Sequence, residues 1–149
     1  MREIKFRAWD KLTQKYWNIE NWHFEDEYLD LIESGVSIAD PNSERVWRKF
    51  NEVEIMQYTG LKDVNGVEIY EWDIVRVNYS GNDDFSGLAL VVFINGCFEL
   101  EGKIMEIINS EGIMYDDFYT VSNDLSRYSA CVKVIGNKFK NPKLLEVAE

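Results

Sequence analysis

The sequence predicts a mainly β chain, either an antiparallel sandwich or a partly open SH3-like barrel, with one N-terminal helix and a short C-terminal helix. Three observations carry this. Short segments of alternating apolar and polar residues recur along most of the chain. Two Asn-Gly pairs, Asn65-Gly66 and Asn95-Gly96, lie between such segments. Only one stretch, residues 24–34, shows helical spacing.

In order along the chain, residues 3–9 alternate: Ile4, Phe6 and Ala8 share one face, Lys5, Arg7 and Trp9 the other. Residues 10–13 read as a turn and 14–20 as the returning strand, with Trp9 and Trp17 near one end of the hairpin. In 24–34, Phe24, Tyr28, Leu31 and Ile32 recur at helical spacing. Asn21 would cap this helix, and Gly35 would follow its end. Residues 36–51 are irregular, with a strand expected around Val46 and Trp47.

From residue 52 strands dominate. Val53 and Ile55 alternate with Glu52 and Glu54. Asn65-Gly66 is expected to form a type I′ turn, which wants φ > 0 at both positions. Val75, Val77 and Tyr79 alternate again. Residues 80–87 read as a loop. Residues 88–94, LALVVFI, are continuously apolar, as suits a central strand covered on both faces. Asn95-Gly96 turns the chain into CFELE. Residues 103–108 fit a strand or one helical turn, and ACVKVI at 130–135 a last strand. Asn141-Pro142 opens a C-terminal helix through Leu144 and Leu145. The 149 residues suit one domain, 1–149. The irregular 36–51 leaves room for a hairpin-plus-helix subdomain, 1–50, packed on a β-body, 51–149.

The formal net charge is -11, unevenly spread. Residues 1–15 carry +3 and 133–143 carry +4, whereas 16–132 carry -16. Such a body repels polyphosphate, so nucleic acid is not the expected partner unless the basic ends form a patch. No run of about 18 apolar residues suggests a membrane span. The N-terminus shows no apolar leader after its charges. A cytoplasmic location is expected.

Catalytic constellations are not evident. Two cysteines, Cys97 and Cys131, and one histidine, His23, do not supply the usual zinc ligand set. Both cysteines sit in strand-like surroundings and are expected to be buried, reduced thiols. His23 lies between Trp22 and Phe24, which suits packing or capping better than base chemistry. The glycines around Asn82-Asp83-Asp84 lack the lysine and the charge of a phosphate loop. Asp83-Asp84 and Asp116-Asp117 are the least excluded candidates for a divalent cation, yet loop acids are usually just solvated. No catalytic, metal or cofactor site is therefore assigned.

Three stretches are more specific than generic strands: MREIKFRAWD at 1–10, QYTGLKDVNGVEIYEWDIV at 57–75 and VIGNKFKNPKLL at 134–145. Together they resemble the YopX family, small proteins of bacteriophages and prophages of Gram-positive bacteria. The resemblance covers essentially the whole chain. It implies a β-rich single-domain fold and a phage origin, with no activity, catalytic residue or cofactor to carry over. One departure stands out. The family pattern reads Y-E-G-D-I-V, and here Trp72 replaces the glycine. A side chain there implies a backbone without a strict need for φ > 0. Asp73 would accept backbone hydrogen bonds within the turn.

The function expected is that of a non-enzymatic accessory protein acting by binding protein of host or phage origin, or a second copy of itself, with a homo-oligomer allowed. Arg7, Trp9, Trp17 and Trp72 are the candidate contact residues, because large aromatics and Arg are enriched where interfaces are tight. Three alternatives remain open. One is a DNA mimic that presents its acids as phosphate surrogates. Another is a nucleic-acid binder using the first strand and the basic ends. The third is a carboxylate enzyme using a divalent metal.

Overall fold

The structure, a computed structural model, describes residues 3–78, 86–104, 106–109, 112–115, 123–125 and 131–146. Strands dominate, as the alternation predicts. The chain divides into two compact units, Met1–Tyr58 and Thr59–Glu149.

The first unit holds strands β1 (Phe6–Asp10), β2 (Lys15–His23), β3 (Tyr28–Glu33) and β4 (Arg45–Lys49), and most of β5 (Val53–Lys62). They lie in the order β4-β3-β2-β1-β5, each antiparallel to its neighbour. Ala8, Trp17, Leu29, Leu31 and Val53 form the core on one face of this sheet, with Ile19 and Val46 packed against it. Each such large apolar side chain contributes about 2 kcal/mol by leaving water. The β1–β2 turn is fixed by Asp10. Its carboxylate accepts the Leu12 amide at 3.1 Å, the Thr13 hydroxyl at 2.7 Å and the Arg48 Nε at 2.9 Å.

The N-terminal helix expected over 24–34 is not present. Residues 24–27 make a turn, with Glu27 at φ +54°, and Tyr28–Glu33 is strand β3. The same letters hold a period of two: Leu29 and Leu31 enter the core, while Tyr28 and Asp30 stay half-exposed. Pairing with β2 on one side and β4 on the other outweighs a helix built on Phe, Tyr, Ile and Asp, all modest helix formers. The strand expected around Val46 and Trp47 is β4. One 3-10 turn, Phe50–Glu52, leads into β5.

In the second unit follow β6 (Glu68–Tyr70), β7 (Asp73–Asn78), β8 (Ser86–Ile94), β9 (Cys97–Ile104), β10 (Glu106–Asn109), β11 (Gly112–Tyr115), β12 (Asn123–Asp124) and β13 (Val132–Asn137). Five form a sheet in the order β12-β9-β8-β7-β13, and β10 and β11 pair as a hairpin. The apolar strand β8 is central and covered on both faces. Ala89 and Val91 face one core with Ile69, Val75, Val77 and Val132, while Leu90 and Val92 face a second with Ile74. The C-terminal helix is a single 3-10 turn, Pro142–Leu145, and its Leu144 and Leu145 pack on that second core. Residues 103–108 run as strand on either side of residue 105. The two aspartate pairs weighed as cation ligands, Asp83-Asp84 and Asp116-Asp117, lie outside the described residues. Among the described residues, no helix is long and apolar enough to cross a membrane.

The two Asn-Gly turns differ. Asn95 and Gly96 both have positive φ, at 52° and 85°, as a type I′ turn requires. At the other, only Gly66 does, so the type I′ expectation is corrected. Asp63 is the reason. Its Oδ1 accepts the amides of Asn65 and Val67, and its carbonyl accepts the Gly66 amide. Its Oδ2 accepts the Val134 amide from β13 at 2.9 Å. Burial raises the Asp63 pKa, but these amides and nearby Lys133 outweigh it and hold the carboxyl below its ordinary value. Both cysteines are free thiols. Cys97 is exposed and Cys131 half-buried, so the expected burial does not hold: Cys97 opens β9 directly after the turn.

Candidate interaction surface

Strand β2 decides which side chains the first unit shows. Up to Ile19 its odd-numbered residues face the core. The pairing with β3 then slips by one residue, Ile19 facing Leu31 and Asn21 facing Asp30, so Glu20 is an inserted bulge residue. Beyond it, Trp22 lies opposite Leu29 and packs against the core, while Asn21 and His23 take the other face.

Trp22 anchors a cluster of four rings. Phe6 meets it edge-on at 5.4 Å, and Phe24 stacks on it at 5.5 Å with planes 20° apart. Phe50 closes the group, 6.4 Å from Trp22 and 6.2 Å from Phe24. Trp22 and Phe50 are half-buried, whereas Phe6 and Phe24 are exposed, Phe24 to 69%. Phe6 opens β1 and is exposed, as is Ile4 just before the strand. Aromatic packing at these distances contributes about 0.5–1.5 kcal/mol per pair, which orders the Phe24 ring although most of it faces water.

Next to the rings, the turn presents Glu25, Asp26 and Glu27, all exposed. An open cavity of about 450 Å³ is lined by Asp26, Glu27, Lys49, Phe50 and Asn51. The Glu27 carbonyl accepts the Phe50 amide at 2.9 Å, which ties the acidic turn to the ring cluster.

The opposite face of the same strands carries His23. Its Nε2 lies 2.8 Å from Asp30 Oδ2, and its ring stacks on Tyr28 at 4.0 Å. Tyr28 meets Trp47 edge-on, and Trp47 is 61% exposed on the sheet-edge strand β4. His23 is thus a packed and paired side chain rather than a helix cap.

Of the four residues singled out from sequence, two are interior. Trp17 is only 2% exposed, in the core, with its indole N–H donating to Thr13 at 3.0 Å. Trp9 is 5% exposed and packs edge-on against Tyr16. Cross-strand pairing sets Trp9 opposite Tyr16 and Ala8 opposite Trp17, so the two tryptophans take opposite faces. Neither offers a contact surface, because both side chains are buried in the interior. Arg7 stays half-buried with its guanidinium over the Tyr16 ring at 4.3 Å.

Trp72 belongs to the second unit and corrects a further expectation. Its φ is +67°, so the position keeps the left-handed backbone that a glycine would take. Its amide donates to Val91 and its carbonyl accepts from Lys138. The ring packs on the core of Ile74, Leu90 and Val92 and lies under the Lys138 ammonium at 4.3 Å. Asp73 accepts the Tyr70 amide at 2.8 Å, as its place in the turn suggests, and the Asn137 side-chain amide at 3.0 Å.

The exposed rings were missed because the sequence offers Phe24 as part of a helix. The signal is there: in a strand, Trp22 and Phe24 share a face, and three acids follow at once.

The chain matches the family model described as YopX protein over residues 5–146. It belongs to the YopX family. A relative, the SPbeta prophage-derived protein YopX of Bacillus subtilis (strain 168), is 24% identical over 152 residues, covering 95% of each chain. Among solved structures, protein EF1440 from Enterococcus faecalis is 25% identical with a TM-score of 0.58, covering 97% of this chain and 99% of that one. The crystal structure of the Bacillus subtilis YopX protein gives 18% identity and a TM-score of 0.52 at the same coverage, and shares the fold. The family match thus spans both units, including the turn at 24–27, Trp72 and the C-terminal 3-10 turn.

Proposed function

We propose that the chain is a non-catalytic accessory protein of a phage or prophage, working in the host cytoplasm by binding another protein through the Phe24 surface. The exposed stack of Phe24 on Trp22 carries the reading. A large aromatic ring held in order yet mostly in water suits an interface anchor, and contiguous exposed apolar patches mark such sites. The prophage origin stated for the Bacillus subtilis relative supports the phage setting. Two free thiols suit a reducing compartment.

The test is a pull-down with the full chain and with Phe24→Ser, from nuclease-treated lysates of uninfected and phage-induced cells. A protein retained by the native chain and lost with Phe24→Ser is the expected result. A partner retained equally by both overturns the Phe24 surface. Clean lanes from both lysates, with a monomer in sedimentation, overturn protein binding as such.

A further inference from the structure

We infer that the Phe24 surface takes a cationic segment, a Lys or Arg flanked by apolar residues on the partner protein. This rests on the surface proposed above and names its occupant. The rings of Trp22, Phe24 and Phe50 offer π faces that attract ammonium and guanidinium groups.

The charges beside them are unspent. Elsewhere in this unit acids meet cations: Glu3 meets Lys5, Asp10 meets Arg48, Glu20 meets Arg45 and Glu54 meets Lys11. Among the described residues, Glu25, Asp26 and Glu27 make no such ion pair. Two of these carboxylates line the open cavity together with Phe50 and Lys49. A Lys or Arg entering there would lay its apolar stem on Phe24 and bring its head between ring and carboxylate. An acidic segment would meet the same three charges as repulsion, and the net charge of -11 deters it at longer range.

The test selects random short linear peptides on the folded full chain, with Phe24→Ser as counter-target. Melting curves confirm that both variants used are folded. Peptides that require Phe24 should be enriched in Lys or Arg beside apolar residues. A representative peptide should bind the variant Glu25→Gln/Asp26→Asn/Glu27→Gln about tenfold more weakly, since each exposed pair contributes only a fraction of a kcal/mol. That difference should shrink at high salt. Peptides that require Phe24 but show no cationic enrichment, or that bind the neutralised turn equally well, overturn the cationic occupant and leave the surface standing. If no peptide distinguishes the native chain from Phe24→Ser, the surface itself falls and the occupant with it.

Discussion

Lys138 grips Trp72 from two sides: its amide donates to the Trp72 carbonyl at 2.9 Å, and its ammonium lies 4.3 Å from the ring centroid. Trp72 thereby stays at a φ of +67°, a conformation that strains any side chain by about 1–2 kcal/mol. Trp72→Ala should lose the ring and keep the strain, whereas Trp72→Gly loses both. The glycine variant should therefore be more stable than the alanine variant by about 1 kcal/mol, with both below the native chain. Thermal melts give the order, and an alanine variant melting above glycine would contradict a left-handed backbone there.

Asp10 is fully buried beside Arg48 at 2.9 Å. Removing the cation strands a buried carboxylate, so Arg48→Ala should cost about 3 kcal/mol in urea unfolding. Asp10→Asn keeps an acceptor for Leu12 and should cost about 1 kcal/mol. In the double variant the two losses should fall short of their sum. Strict additivity would mean that the pair contributes nothing as a pair.

Asp63 makes acid stability measurable at one residue. Its folded pKa is held below the ordinary 3.8, so its contribution is fully present above that value and is lost as the pH falls through the folded one. Asp63→Asn replaces one acceptor oxygen by a donor and leaves an amide of Val134, Asn65 or Val67 unmatched. It should lower stability at neutral pH by about 1–3 kcal/mol. Its stability should also change less than the native chain's as pH drops below about 4. Parallel pH profiles for the two proteins would refute the role.

Gly136 is held by lack of space. A Cβ there would lie 2.8 Å from both Asn141 Oδ1 and Leu144 Cδ1. Asn141 Oδ1 accepts the Asn137 amide, so it cannot swing away freely. Gly136→Ala should destabilise by about 1–3 kcal/mol and shift the Leu144 methyl resonances. Unchanged resonances and melting temperature would show that the C-terminal turn yields without cost.

The β character and most strand positions could be read from the sequence, because alternation is local. Strand β8 was legible even as a doubly covered central strand. Residues 24–34 were not, because Tyr28 to Ile32 satisfy both periods and only pairing with β2 and β4 decides between them. Trp9 and Trp17 looked alike as contact residues, yet their burial depends on strands that arrive later in the chain. The Asn65-Gly66 turn failed for a similar reason: its geometry is set by an aspartate that also reaches Val134, 71 residues away. The candidate surface is least legible of all, since the spacing of residues 24–34 places Phe24 in a helix.

Glu20 gives the first unit a phase inversion. Before it, odd positions of β2 look inward; after it, even ones do. Flattening the bulge with every residue kept would exchange Trp22 for His23 and trade the two aromatic faces of the unit wholesale, without altering a side chain in either. Deleting Glu20 would instead restore plain alternation, with Ile19 and Trp22 still inward and Asn21 between them outward. The identity of the surface shown to a partner is thus encoded in backbone phase as much as in residue type.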